Sequence, residues 1–158
     1  MDLYRRYGSA LCRKCERMLG NRDDAEDIVQ GLFVDLLKKG VEEESLAYLY
    51  RAATNRCLNL IRNRKKRRAL LERNTREQIL PARTLLEDNV VGFELLGRLV
   101  ARLDKRSSEI LVYRYLDDLT QDEIAETMNL SRKTVGKRLK KISHEAQKLS
   151  QAGKGGPR

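Results

Sequence analysis

The amino-acid sequence predicts an all-α protein with two small helical domains joined by a flexible linker. Apolar residues recur at helical spacing, and no long stretch alternates between apolar and polar residues as a half-buried strand does. Residues 1–68 carry 16 basic and 10 acidic side chains. A nearly neutral segment with Pro81 and scattered apolar residues follows at 69–91 and is typical of a linker. We therefore predict an N-terminal domain at 1–68, a linker at 69–91, a C-terminal domain at 92–150 and a disordered tail at 151–158.

The charge balance indicates a polyanionic partner. The chain has 33 basic and 23 acidic residues and a formal net charge of +10, which favours nucleic acid first and an anionic membrane surface second. No run approaches the roughly 18 apolar residues of a spanning helix, and no apolar signal segment opens the chain. Three cysteines argue against a disulfide framework. We expect a cytoplasmic protein that does not insert directly into a membrane.

Two helices are predicted within residues 1–40. The second begins near Asp23, where acidic residues in the first turn suit the positive end of the helix dipole, and it ends at 38–40. The stripe expected to be buried in the first helix comprises Leu3, Tyr7, Leu11, Cys15 (or Cys12), Met18 and Leu19. The buried face expected for the second comprises Ala25, Ile28, Val29, Leu32, Phe33, Leu36 and Leu37.

A third helix is predicted from about Leu46, with Ser45 as its N-cap, into the basic segment 64–68. Its expected inner face comprises Leu49, Ala52, Ala53, Cys57, Leu60 and Ile61. Aromatic, asparagine and arginine residues occupy other positions, namely Tyr48, Tyr50, Arg51, Asn55, Arg56, Asn59, Arg62 and Asn63. Aromatic rings stack on exposed bases, asparagines bond to base edges and arginines bind phosphates. This composition favours a helix lying along DNA; the alternative is a surface helix with a solvated basic end.

Residues 119–142 are the most informative segment, because they predict two short helices around a tight turn. Thr120 and Glu123 form a capping box at the first helix. Asn129 tolerates the left-handed conformation that a sharp turn needs, and Ser131 caps the second helix. Apolar residues at helical spacing are expected to face inward, namely Ile124, Ala125 and Met128 in the first helix and Val135, Leu139 and Ile142 in the second.

The second of these two helices has a basic face opposite its apolar one. The basic face carries Lys133, Lys137 and Lys141, flanked by Arg132, Arg138 and Lys140. A helix with an apolar back and a basic front, held at an angle to a partner helix, is the shape that enters a DNA major groove. The alternative is a helical hairpin whose basic face is merely solvated.

Catalytic and metal-binding patterns are weak in this sequence. The one histidine, His144, has only its neighbour Glu145 as a carboxylate partner, and no glycine-rich phosphate loop is present. Cys12 and Cys15 have metal-like spacing, and the intervening basic residues 13 and 14 could favour the thiolate, but zinc needs two more ligands. We predict no catalytic residue, metal site, cofactor or small-molecule substrate, and cysteines that act as small buried hydrophobes. A redox or metal sensor is the alternative.

Both halves of the chain resemble one family. The segments DAEDIVQGLFVDLLKK at 24–39, LAYLYRAATNRCLNLIRNRKKRR at 46–68 and LTQDEIAETMNLSRKTVGKRLKKI at 119–142 resemble a bacterial RNA polymerase sigma factor. The short form without a middle domain is similar to the extracytoplasmic-function group. The resemblance implies a transcription initiation factor, not an enzyme, that binds core RNA polymerase, recognises the −35 and −10 promoter elements and promotes strand opening. It also implies promoter DNA and an anti-sigma factor as partners.

The resemblance also implies roles for individual residues. The residues expected to bind polymerase, at its clamp coiled coil, are Asp24, Glu26, Asp27 and Gln30. Those expected to recognise and open the −10 element, together with the loop 39–45, are Tyr48, Arg51, Asn55, Asn59 and Arg62. Those expected to recognise the −35 element are Arg132, Lys133, Thr134, Lys137, Arg138 and Lys141.

Three positions depart from the family pattern. Tyr48 stands where tryptophan is common and keeps a stacking face. Asn59 replaces a frequent aspartate, which is compatible with base contact but with a shifted promoter preference. Gly136 replaces a long basic residue inside the second hairpin helix, at a cost of about 1 kcal/mol relative to alanine. The glycine either permits a close approach to DNA or simply makes a softer helix.

Two other functions compete with the one that the resemblance implies. A stand-alone helix-turn-helix regulator would use its N-terminal half for ligand binding or dimerisation, but that half has few aromatic and many charged residues. A sigma mimic that sequesters an inhibitor would not need the basic faces. Neither alternative explains why both halves carry DNA-facing features.

Overall fold

The computed structural model describes residues 2–71 and 93–152 and is all-α there, as predicted, with no strand in these ranges. Its seven helices are α1 (Asp2–Leu19), α2 (Arg22–Lys38), α3 (Leu46–Leu71), α4 (Phe93–Arg102), α5 (Lys105–Tyr115), α6 (Gln121–Met128) and α7 (Arg132–Ala152). Contacts along the chain separate two compact units, Met1–Ile61 and Arg62–Arg158. Residues 69–71 of the predicted linker continue α3, and the rest of the linker lies outside the described residues. Residues 151 and 152 of the predicted tail belong to α7, and the rest of the tail lies outside the described residues. The predicted domain boundaries stay a prediction.

Local caps define the ends of the helices in the first unit. The side chain of Asn21 accepts a hydrogen bond of 3.1 Å from the backbone N–H of Asp24 and so starts α2. Gly40 follows α2 with a φ of +70°, a conformation that favours glycine. Ser45 Oγ accepts from the N–H of Tyr48 at 3.1 Å, which confirms Ser45 as the cap of α3. Asn21 was not recognised as a cap in the sequence, although its residue type favours that position.

The core of the first unit is formed by one face of each of its helices. Tyr4 packs edge-to-face on Phe33, with ring centroids 5.2 Å apart. The most deeply buried apolar side chains are Leu11, Cys15, Met18, Ala25, Val29, Leu49, Ala53, Cys57 and Leu58.

The predicted buried faces of α2 and α3 were partly wrong. Leu37 is 58% exposed, because it lies about 100° around α2 from the buried Leu36. On α3, Ala52, Leu60 and Ile61 are only half-buried, whereas Thr54 and Leu58 are buried. Tyr7 on α1 and Ile28 on α2 are also half-buried.

In the second unit, α5 is the central helix. Every residue from Ser107 to Tyr113 is buried, and a helix buried on all sides lies inside a core. Asp104 is its N-cap and accepts a 2.7 Å hydrogen bond from the N–H of Ser107. Apolar residues of the surrounding helices complete the core, namely Leu95, Leu96, Leu99, Ile124, Met128, Val135, Ile142, Ala146 and Leu149.

The caps and the turn of the predicted helical hairpin are confirmed, although its second helix is 21 residues long and not short. Thr120 and Glu123 form both hydrogen bonds of the capping box at the start of α6. Asn129 ends α6 in the left-handed conformation, with φ of 53°. Ser131 Oγ accepts from the N–H of Thr134 at 3.1 Å and caps α7. The two helices are therefore joined by the kind of short, capped turn that a helix-turn-helix motif has.

Candidate nucleic-acid interface

The outer face of α7 is a row of exposed lysines. Val135 and Ile142 are completely buried on the inner face, which fixes the rotation of the helix. The lysines exposed by that rotation are Lys133, Lys137, Lys140 and Lys141. Leu139 and Ala125, both expected inside, are half-buried. A positive helical face presented in this way suits contact with DNA phosphates and base edges.

Two residues at the start of α7 have partners within the hairpin. Arg132 lies 3.6 Å from Asp122 of α6 in an ion pair whose side chains are 69% and 73% exposed. An ion pair this exposed contributes little stability, so Arg132 can exchange Asp122 for a phosphate at small cost. The Thr134 hydroxyl lies 2.8 Å from Ser131 Oγ, which commits it partly to the N-terminal cap.

Arg138 differs from Lys133, Lys137 and Lys140 because it contacts α5 and the residue that caps it. Its Nη1 donates to both carboxylate oxygens of Asp104, at 3.0 and 2.9 Å, and to Ser107 Oγ at 3.1 Å. Lys141 Nζ approaches the same carboxylate at 3.4 Å. Partial burial alone would raise the pKa of Asp104, but hydrogen bonds from Ser107 and Arg138 outweigh it and hold that pKa well below its usual range.

On α3, the residues predicted to contact the −10 element share one helical face. Tyr48 is 47% exposed and Asn59 is exposed, whereas Arg51, Asn55 and Arg62 are half-buried. Arg62 also donates a 2.9 Å hydrogen bond to Ser108 Oγ. Their spacing of three or four residues places them along one side of the helix. Because the buried Leu49, Ala53 and Cys57 occupy another side, this face of α3 forms a strip of aromatic, amide and basic groups.

Two other α3 side chains that were expected on the DNA side, Tyr50 and Arg56, contact α1 and α2 within the first unit. The Tyr50 ring is covered by the Lys14 ammonium, 4.1 Å from its centroid, and its hydroxyl accepts from Arg17 at 3.2 Å. Tyr50 is therefore not a stacking platform for a base. Arg56 donates to Asp35 of α2, and this hydrogen bond holds the pKa of Asp35 below its usual value.

The predicted polymerase-binding residues on α2 differ in exposure. Asp27 and Gln30 are exposed, whereas Asp24 and Glu26 are half-buried. Glu26 also accepts a 3.0 Å hydrogen bond from Arg22. Continuing at helical spacing from Asp27 and Gln30, Val34 is 46% and Leu37 is 58% exposed. We call the four residues Asp27, Gln30, Val34 and Leu37 the α2 outer strip; its apolar end was missed because Leu37 was assigned to the core.

The cysteines are closer together than their sequence positions indicated. The thiols of Cys15 and Cys57 share a hydrogen bond, which together with burial raises the pKa of Cys57 far above its usual range. Burial and the neighbouring Cys15 also raise the pKa of Cys12. The expectation that adjacent basic residues favour the thiolate was wrong, because Arg13 donates to Ser9 and burial dominates. Within residues 2–71 and 93–152, no group of three or more His, Cys, Asp or Glu side chains is placed to hold a metal.

None of the described helices combines the length and the apolar character needed to cross a membrane.

Gly136 leaves room for a side chain of α6. A Cβ atom at this position would lie 3.1 Å from Gln121 Nε2, so the glycine accommodates the Gln121 amide. This contact gives a reason for the glycine that neither sequence interpretation considered.

Replacing Gly136 with alanine is expected to stabilise the second unit by up to about 1 kcal/mol, because alanine favours the helix and the flexible Gln121 amide can move. Thermal denaturation of Gly136→Ala and of Gly136→Ala/Gln121→Ala measures the effect. The double variant should show the full helical gain relative to Gln121→Ala. A loss of stability in both backgrounds would contradict this explanation.

Models of known protein families match both halves of the chain. Residues 3–67 match the family model for Sigma-70 region 2, and residues 93–142 match that for Sigma-70, region 4. The ECF RNA polymerase sigma factor SigW of Bacillus subtilis (strain 168) is 32% identical over 152 residues, covering 87% of this chain and 81% of the relative. A solved structure of the sigma factor RpoE in complex with the anti-sigma factor NepR from Bartonella quintana is similar over 90% of this chain and 91% of that chain, with 18% identity and a TM-score of 0.48.

Proposed function

Because the chain belongs to the extracytoplasmic-function group of bacterial RNA polymerase sigma factors, we propose how its two matched regions divide promoter recognition and transcription initiation between them. Region 4, with α6 and α7, recognises the −35 element as a duplex. Region 2, with α3, recognises the −10 element and promotes strand opening. The observation that carries this proposal is the exposed lysine face of α7 opposite the buried Val135 and Ile142.

Recognition of the −35 element falls to the outer face of α7. Lys133 and Lys137 lie one turn apart and are fully available to the groove. Arg132 joins them after exchanging its exposed partner Asp122, whereas Lys141 and Thr134 contribute from the edges of the face.

Strand opening falls to the strip on α3. Tyr48 offers an exposed ring for stacking, and Asn55 and Asn59 offer amide groups for base edges. Arg51 supplies positive charge for the backbone of the same strand, and Arg62 adds to it once it exchanges its hydrogen bond to Ser108 for a phosphate. Opening costs a mean of roughly 1.4 kcal/mol per base-pair step, and stacking of an exposed base on an aromatic ring returns about 1–3 kcal/mol. The remainder comes from the binding of polymerase to DNA.

The α2 outer strip binds core RNA polymerase. Two exposed apolar side chains next to an exposed carboxylate and an amide are typical of a protein-binding surface. Asp24 and Glu26 lie at the edge of the strip and contribute less. Core RNA polymerase and promoter DNA are thus the two partners that this chain needs in order to act.

Further properties follow as proposals from membership of the group. The protein acts in the cytoplasm, catalyses no bond-making step itself and uses no cofactor or small-molecule substrate. An anti-sigma factor restrains it.

The division of roles is tested by variants of each helix in the polymerase holoenzyme. Asn55→Ala and Asn59→Ala are expected to leave duplex binding nearly intact and to reduce strand opening. Lys137→Ala is expected to weaken the closed complex. Each lost base contact corresponds to about 1–3 kcal/mol of discrimination. Permanganate footprinting detects opening, and gel-shift titration on the closed promoter measures binding.

A promoter with a pre-melted −10 bubble is the control. The bubble should restore the activity of the two asparagine variants much more than that of Lys137→Ala. The reason is that the template is already open, and only the asparagine variants are impaired in opening it. Equal restoration of both classes, or of neither, would contradict the assignment of duplex recognition to α7 and opening to α3.

A further inference from the structure

We propose that Arg138 is a positioning residue, which fixes the recognition helix α7 on α5 through Asp104, and that it does not contact DNA directly. This inference rests on the proposed function of α7. It changes the role that the sequence resemblance implied for Arg138, and it gives Asp104 a role in promoter recognition.

The position of Arg138 on α7 supports this role. With about 100° per residue, Arg138 lies about 60° from the buried Val135 and about 40° from the buried Ile142. Lys137 lies roughly 100° further round, on the exposed side. The side chain of Arg138 is 26% exposed, whereas Lys137 is exposed. Arg138 therefore belongs to the border of the inner face.

The contacts of Arg138 are those of a fixed group. One nitrogen, Nη1, lies within hydrogen-bond distance of three oxygens, two of Asp104 and one of Ser107, so its two hydrogens are shared among them. Ser107 is completely buried, so the guanidinium is directed into the unit. Hydrogen bonds between a guanidinium and a carboxylate are stronger than those between neutral groups. Turning Nη1 toward a phosphate would forfeit these contacts.

Asp104 connects Arg138 of α7 to the start of α5. Its carboxylate caps α5 through the Ser107 N–H, and the same carboxylate holds Arg138 and approaches Lys141. The start of the central helix and the middle of α7 are thus connected through one side chain, although the residues are 34 positions apart in the chain. The direction of α7 relative to α5 depends on this connection, and so does the geometry with which its lysines meet DNA.

The substitution Asp104→Ser distinguishes a positioning role of Arg138 from direct contact with DNA, because the two roles predict opposite changes in DNA-binding affinity. Serine preserves the N-cap but is too short and uncharged to hold Arg138. If Arg138 positions α7, Asp104→Ser weakens binding of the holoenzyme to −35 promoter DNA by fivefold or more. If Arg138 contacts DNA, Asp104→Ser releases a cation and tightens binding, which would overturn the proposal.

A double-mutant cycle with Arg138→Met completes the test. Arg138→Met should weaken binding by fivefold or more in the wild-type background and by less than twofold in the Asp104→Ser background. Equal losses in both backgrounds would overturn the proposal. Glu126→Gln, which removes one exposed negative charge from α6, is the control for general electrostatic attraction.

The binding measurements are made at a temperature at which thermal denaturation shows every variant fully folded, so that a purely stabilising role would leave the affinities unchanged. If Arg138→Met does not fold, Arg138→Lys replaces it in the same cycle. An equal loss of DNA-binding affinity in the wild-type and Asp104→Ser backgrounds would again overturn the proposal. Failure of the wild-type holoenzyme to distinguish promoter from non-promoter DNA would overturn the proposed function and this inference together. Intact wild-type recognition with an additive cycle would overturn only the inference.

Discussion

The variant Asp27→Arg is expected to lose binding to core RNA polymerase. Asp27 is exposed on α2, and Gln30, Val34 and Leu37 continue its face. Reversing one charge in a protein-binding surface costs several kcal/mol when it opposes a like charge. Since Asp27 lies at the surface, the free energy of unfolding should change by only about 0.5 kcal/mol. Co-purification of the variant with core polymerase, or a fluorescence binding titration, measures the loss.

A charge reversal elsewhere in the same unit provides the control. Glu16 is exposed on α1, and Glu16→Arg changes the net charge by the same amount without altering the α2 outer strip. It should retain polymerase binding. Leu37→Ala should weaken binding without lowering stability, because the side chain is already 58% exposed. Normal co-purification of Asp27→Arg would mean that the polymerase-binding surface lies elsewhere.

The variant Ile142→Ala is expected to destabilise the second unit by about 2–5 kcal/mol. Ile142 is completely buried beneath α7, and its truncation leaves a cavity between α7 and the helices that it packs against. Small domains have total stabilities of only about 5–15 kcal/mol, so the melting temperature should fall by roughly 10 °C or more. Recognition of the −35 element should then be lost on mild heating, while the first unit remains folded.

The half-buried Leu139 is the matched position on the same helix. Leu139→Ala removes a side chain of equal size but leaves a smaller cavity, so its loss of stability should be clearly smaller. Thermal denaturation followed by circular dichroism compares the two. Equal losses would contradict the rotation of α7 on which the assignment of its DNA-facing lysines depends.

The helix-turn-helix was predictable from the sequence because its signals are local. Thr120 with Glu123, Asn129, and Ser131 each act within about four residues of themselves, so residue type and spacing sufficed. The same holds for Ser45 before α3. Local hydrogen bonds of this kind leave a clear pattern in the sequence.

Features that depend on distant partners could not be predicted. The contact of Arg138 with Asp104 is one such feature, because the two residues are 34 positions apart in the chain. The hydrogen bond between Cys15 and Cys57 joins two helices, and the ring of Tyr50 is covered by a lysine of α1. The central helix α5 also escaped recognition, because its buried Ser107, Ser108 and Glu109 have the composition of a surface.

We expect the free protein to bind promoter DNA only weakly, which would make it depend on polymerase. Each region offers a modest set of contacts, and two weak binding modules gain little from each other until a scaffold fixes their spacing. Binding driven by lysines and arginines also weakens steeply as salt rises. We expect polymerase to supply both the scaffold and the energy for opening.

Run-off transcription with core RNA polymerase, with and without this protein, tests the central claim most directly. At physiological salt, core polymerase alone should give no specific transcript, and addition of the protein should give a transcript from one defined start site. Asp27→Arg should abolish that transcript. A protein that leaves transcription by core polymerase unchanged, yet alone binds the promoter tightly and sequence-specifically at the same salt, would contradict the account and identify a stand-alone regulator.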